Sequence, residues 1–203
     1  MRINLKNLTI VLAMLISISV LVLWSTGLIG LWTQGMAYIA NNTEEFTDKS
    51  GHVIKGEYSV AIDLKDLKSN VGKELYNDGN NKIYVSWIDN TGGVNTGGYR
   101  IGFRACGEYS LTNASLISGT RHQTVGEHIF TYDMSAKMTA QYKGKVYNSG
   151  VYGTSGLNYK DGDDFSFYIF PREAYEKGEV SLNEKGIVKL TITNLYKNNW
   201  TKK

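Results

Sequence analysis

One cysteine, one proline and three histidines are all that this 203-residue chain carries of those residues, and neither sign of charge dominates it. Cys106 alone cannot close an intrachain disulfide, and it excludes metal sites built from several thiolates. Stability must come from a packed core, which a chain of this length is able to bury. The formal net charge is +3, and two of the 22 basic residues, Arg2 and Lys6, precede the first apolar segment. The remaining basic residues nearly balance the 19 acidic ones. A nucleic-acid surface needs a clustered basic field, and none is present, so no nucleic-acid partner is expected. Internal repeats and low-complexity tracts are missing. So is any sustained helical period after residue 32, which argues against a doubly wound α/β fold.

What the chain does have is a long uncharged run. From Leu8 to Trp32 no residue is charged, and most are Leu, Ile, Val, Met or Trp. As a helix, some 25 residues rise about 37 Å, enough to cross ~30 Å of hydrocarbon with tilt. Ser17, Ser19 and Thr26 are tolerable in lipid because their hydroxyls can bond a preceding carbonyl. Arg2, Lys6 and the amino terminus lie before the run, whereas Glu44, Glu45 and Asp48 follow it. The positive-inside rule then puts the N-terminus in the cytoplasm and the rest outside. The expected organisation is a cytoplasmic tail (1–7), a transmembrane signal-anchor helix (8–32), a polar tether (33–56) and an extracytoplasmic β-rich domain (57–203). A secreted product cleaved near Ala37 is the alternative, but the run greatly exceeds the ~7–15 residues of a signal-peptide core. Membrane lipid is the expected partner of the helix.

Beyond the run lie all 14 Tyr of the chain and most of its 22 Gly. Tyrosine suits a half-buried pleated surface, and glycine suits tight turns. Tyr58, Val60, Ile62 and Leu64 alternate with polar residues, the period of a half-buried strand. Leu64–Leu75 permits a short helix, and 77–81 is a strong turn signal. The next strand, 82–89, places Ile83, Val85 and Trp87 on one face. Tyr99, Ile101, Phe103 and Ala105 then alternate with Arg100, Gly102, Arg104 and Cys106. Further strands are expected near 109–116, 128–134, 137–147, 165–170 and 188–196. Short strands at this spacing predict a mainly β fold, an antiparallel β-sandwich with a β-barrel as the alternative.

Catalytic patterns are scarce. Gly-x-Ser-x-Gly, His-Glu-x-x-His and the P-loop are absent. His52, Cys106 and Arg121 can be nominated as a Cys–His–Arg transpeptidase set, but Cys106 lacks the Thr-Leu-x-Thr-Cys context. His122 and His128, with Arg121 and Glu127 beside them, match no standard zinc spacing. Asp161, Asp163 and Asp164 could gather oxygen ligands for calcium, although Asp-Gly pairs are common in plain turns. Glycoside hydrolysis needs two carboxylates across a cleft, for which Glu108, Glu127 and Asp163 are unspecific candidates. No cofactor is expected. Tyr142, Tyr147, Tyr152 and Tyr159 lie among Gly, Ser and Asn, as binding loops often do. Of these, Tyr147, Tyr152 and Tyr159 are the candidate ligand-binding residues. The functional expectation is a non-enzymatic, membrane-anchored interaction protein of the cell envelope with a protein or glycan partner. A module binding glycan or cell-wall polymer is the alternative.

Overall fold

In a computed structural model of the chain, which describes residues 5–126 and 129–203, the uncharged run is helical but not in one piece. α1 (Leu5–Ser25) contains an 18-residue apolar window, Leu8–Ser25, none of it buried and long and apolar enough to cross a membrane. Ser17 and Ser19 donate to the carbonyls of Ala13 and Leu15 at 2.9 and 2.8 Å, so their hydroxyls cost the helix little. Thr26 bonds back to Val22 in the same way at 2.9 Å. The helix then breaks at Gly27, whose φ of 78° lies in the left-handed region. α2 (Leu28–Gln34) and α3 (Met36–Asn41) follow, separated by Gly35 alone.

The stretch 33–56, polar enough to predict a tether, holds α3 and two short strands. Met36, Ile39 and Ala40 recur on one helical face of α3 and are buried in the core. Phe46 is buried as well, on β1 (Phe46–Thr47), and β2 (His52–Val53) is a second short strand.

Fourteen strands follow among the described residues. They are β3 (Tyr58–Asp63), β4 (Glu74–Asn77), β5 (Lys82–Asn90), β6 (Tyr99–Cys106), β7 (Glu108–Tyr109), β8 (Asn113–Ser118) and β9 (Thr120–Gly126), then β10 (Ile129–Met134), β11 (Lys137–Tyr142), β12 (Lys145–Asn148), β13 (Val151–Thr154) and β14 (Gly162–Tyr168), and, after the short helix α4 (Arg172–Glu176), β15 (Ile187–Thr193) and β16 (Tyr196–Lys202). Between β3 and β4 the predicted short helix reduces to one 3₁₀ turn, Lys68–Asn70.

All the strand pairs are antiparallel. One sheet runs β12-β11-β15-β3 and a second runs β13-β14-β6-β5-β4. A third is centred on β16, which pairs with β1, β2 and β8, and β7 extends it. β9 and β10 form a separate hairpin. Each of these sheets keeps its end strands, so the β-barrel alternative is corrected: the sheets do not close on themselves.

The inward residues follow the strand period. β3, β11 and β15 contribute Val60, Ile62, Met138, Ala140, Val188, Leu190 and Ile192. β5, β6 and β14 contribute Ile83, Val85, Ile101, Phe103, Ala105, Phe165 and Phe167 to the same cluster. Phe103 and Phe165, paired across β6 and β14, stack with ring centroids 5.4 Å apart. Burying rings of this size contributes on the order of 2–3 kcal/mol each.

Candidate functional site

The alternation that sends Ile101 and Phe103 inward sends Arg100, Gly102, Arg104 and Cys106 to the opposite face of β6. β14 does the same with Asp164, Ser166 and Tyr168, which lie across from Arg104, Gly102 and Arg100. On the other flank, β5 carries a bulge between Val85 and Trp87. The extra residue there turns Trp87 away from the core side that it would share with Ile83 and Val85 and pairs it with Gly102. Its indole lies against that glycine: a Cβ at position 102 would be 2.0 Å from Nε1. A second bulge, on β13, brings Tyr152 to the same face.

The outcome is a row of aromatic rings around a cation. Tyr152 stands edge-on to Trp87 at 5.9 Å and to Tyr168 at 5.3 Å. The Arg100 guanidinium lies 4.6 Å from the centre of the Tyr152 ring and 5.9 Å from that of Trp87. Asp89 fixes it from below through two hydrogen bonds, Nε to Oδ1 at 3.0 Å and Nη2 to Oδ2 at 2.5 Å. This pairing favours the charged guanidinium further. Four residues along β6, about 13 Å away, the pattern repeats in part. Arg104 pairs with Asp161 and lies 3.7 Å from the centre of the Tyr159 ring, whose hydroxyl donates to Asp164 at 3.3 Å. Burial, with Asp164 next, raises the Tyr159 phenol above its usual value, so it remains a neutral donor. Tyr152 and Tyr159 are 43% and 44% exposed. Flat amphipathic rings interleaved with fixed donors suit a planar polar ligand that stacks and accepts hydrogen bonds.

The other candidates are dispersed. Tyr147 is 7% exposed and packs edge-on against Phe170 at 5.5 Å, so it belongs to the core and leaves the ligand-binding set. Tyr142 is also buried and donates to the Lys185 carbonyl and to Glu184. The three aspartates do not gather around one point: Asp161 precedes β14, while Asp163 and Asp164 point to opposite faces of that strand. Asp161 is engaged by Arg104, Asp164 faces outward, and Asp163 is fully buried. Among the described residues no three His, Cys, Asp or Glu side chains gather as a metal site.

Asp163 instead anchors an internal network. Its Oδ1 accepts from the Ser118 hydroxyl at 2.7 Å, and its Oδ2 lies 2.6 Å from Nε2 of buried His122. Asn198 ties the strands together by accepting from the His122 amide and donating to the Thr120 carbonyl. The order matters chemically. To activate a hydroxyl, an imidazole must stand between it and the carboxylate; here the carboxylate stands between the other two, so the Ser–His–Asp constellation joins strands and does not generate a nucleophile.

Cys106 lies on the outer face of the sheet built on β6 and β14, whereas exposed His52 and half-buried Arg121 belong to β2 and β9. Burial raises the Cys106 thiol pKa, against the opposing pull of Arg104, so it is held as a thiol rather than as a nucleophilic thiolate. Glu127 and His128 lie outside the described residues, and Glu108 is exposed on β7 while Asp163 is buried. Glu108 lines a polar cleft whose lining does not include Asp163. Sequence reasoning missed Trp87, Arg100 and Tyr168, the central members of the aromatic row. The Arg100–Gly102 alternation pointed to that face, but the bulge that delivers Trp87 leaves no periodic trace.

A cleft of about 410 Å³ adjoins the row where Tyr168 meets Gly97, Gly150, Arg172 and Tyr175. A second, polar cleft of about 500 Å³ lies by Asp78, Glu108, Asn199 and Trp200, and no residue of the aromatic row lines it. Comparison with protein-family models, with curated proteins and with solved structures finds no match to this chain.

Proposed function

We propose that the chain is a non-enzymatic, membrane-anchored binding protein whose β-rich domain stands outside the cytoplasm and holds an envelope glycan or cell-wall polymer on the outer face of the β13-β14-β6-β5-β4 sheet. The observation that carries this reading is the solvent-facing row of Tyr152, Trp87 and Tyr168 around Arg100. Sugar rings stack on such side chains through their C–H faces and exchange hydrogen bonds with neighbouring donors.

The architecture we infer is a β-sandwich. β3 and β4 are consecutive strands at one edge of the two large sheets, β12 and β13 are consecutive at the other, and both sheets feed one buried cluster. The basic residues before α1 and the acidic ones after it support a cytoplasmic N-terminus. Retention of the anchor, rather than cleavage near Ala37, is supported by α3: cutting there would part buried Met36 from buried Ile39 and Ala40.

The test is retention of the detergent-solubilised full chain on immobilised glycans and cell-wall polymer. Trp87→Ala and Tyr152→Ala are each expected to weaken retention about tenfold, equivalent to ~1.4 kcal/mol of stacking. Val146→Ala, an exposed residue of β12 in the four-stranded sheet, should leave it unchanged. Retention that is indifferent to both aromatic substitutions removes the reading. An envelope protein as partner is the second reading, and it rests on the β9–β10 hairpin, where Val125 and Ile129 are exposed. In that case Val125→Asp, and not Tyr152→Ala, abolishes co-purification.

A further inference from the structure

The joint between the apolar helix and the β-rich domain has little slack. α1 ends at Ser25, and α2 begins three residues later, so α2 starts within about one helical turn of the end of the apolar window. One side of α2 faces the domain: the Tyr38 ring fills the space that a side chain at Gly30 would need, leaving only 2.3 Å to a Cβ there, and Leu31 packs against the core. The other side is bare. Leu23, Leu28, Ile29 and Trp32 line an apolar recess, and Trp32 is 77% exposed. In water this patch is unfavourable, and indole rings concentrate at the boundary between hydrocarbon and headgroups.

The domain is fastened to this joint at one turn. α3 is rooted in the core by Met36, Ile39 and Ala40, and the Met36 amide donates to the Lys160 carbonyl at 2.8 Å. Gly35, the single link between α2 and α3, runs so close to Lys160 that a Cβ would fall 2.1 Å from its carbonyl oxygen. The exposed Lys160 ammonium stands 5.9 Å from the Trp32 ring. A cation beside an interfacial indole is suited to lipid phosphate.

We propose that α2 and the turn carrying Lys160 dock on the surface of the bilayer, with Trp32 among the headgroups and Lys160 on phosphate. The domain then stands in a fixed orientation and does not swing on a tether. This rests on the membrane-anchored reading above, and the partner is the phospholipid surface next to the anchor. β14 leaves this turn at Gly162 and reaches Tyr168 about 20 Å away. The Tyr159–Arg104 end of the aromatic face is therefore next to the membrane, and the Tyr152–Tyr168 end is distal. A polymer bound there would lie across the sheet at a set height above the lipid.

The test uses the full chain in phosphatidylcholine–phosphatidylglycerol vesicles with nitroxide labels on single cysteines in a Cys106→Ser background. Labels go at Leu15→Cys in α1, at Asn158→Cys, exposed in the turn that carries Lys160, and at Lys177→Cys, which is exposed just after α4. Collisions with oxygen and with a water-soluble nickel chelate report depth. The expected result is position 15 in hydrocarbon, position 177 in water, and position 158 at headgroup depth with nickel collisions several-fold below those at 177. Adding Trp32→Ser should return position 158 toward water. If 158 matches 177 while 15 remains in hydrocarbon, the anchor stands and the docking is wrong. If 15 itself reads as water, the membrane reading fails and the docking with it.

Discussion

The carboxylate of Asp163 is fully buried between the Ser118 hydroxyl and the His122 imidazole, where removing a partner leaves polar groups that water cannot reach. Asp163→Ala and His122→Ala are each expected to destabilise the full chain by about 3–5 kcal/mol, and Ser118→Ala by about 1–2 kcal/mol, in urea unfolding. Unfolding midpoints indistinguishable from that of the parent chain would show the network to be ornamental. Glu184 gives the pH dependence. Burial pushes its carboxyl up, but hydrogen bonds from Lys143, the Ser181 amide, Tyr142 and the Ser181 hydroxyl outweigh this and lower it from 4.5 to about 2. A folded-state value below the unfolded one means the stabilisation is complete above about pH 4.5 and is lost as pH falls toward 2. The contribution is on the order of 1–3 kcal/mol. Glu184→Gln should flatten the fall in stability across that window, read by thermal melts at stepped pH.

At the level of elements, β5 shows what a period-two pattern can and cannot reveal. The burial of Val60 and Ile62 on β3, and of Ile101 and Phe103 on β6, was legible because each follows unbroken alternation. On β5 the same logic groups Trp87 with Ile83 and Val85, and the bulge reverses it, since an inserted residue changes the phase without changing the composition. Tyr147 and Tyr152 illustrate a second limit. Both sit in similar Gly/Ser/Asn surroundings, and only strand register decides that one is core and the other exposed. α3 was hidden for a different reason: its apolar Met36, Ile39 and Ala40 span barely one turn, too short for a periodic signal. The bulge also makes a prediction. Gly102→Val must push the Trp87 indole off the sheet, which should shift the tryptophan emission and cost about 1–3 kcal/mol in stability. Glycan retention should fall with it, as for Trp87→Ala. An unchanged emission spectrum would mean that the indole does not rest on position 102.

For the whole molecule, the two ends of the chain's physics are joined by very few residues. α1 has no buried residue in its apolar window, whereas α3, eleven positions beyond its end, is integral to the core. In the membrane-anchored arrangement proposed above, lipid around the first segment and water around the sheets would meet at α2 and its flanking glycines. The glycan-binding and docking proposals depend on that arrangement and on its direction. The most direct test is labelling of intact cells that express the full chain, in the Cys106→Ser background, with a membrane-impermeant maleimide. A cysteine in place of Lys177 should react without lysis, and one in place of Asn4 should react only after the membrane is opened, while the chain stays in the alkaline-washed membrane fraction. Lys177→Cys labelled only after lysis, or a chain released in the cytosol, would contradict the account.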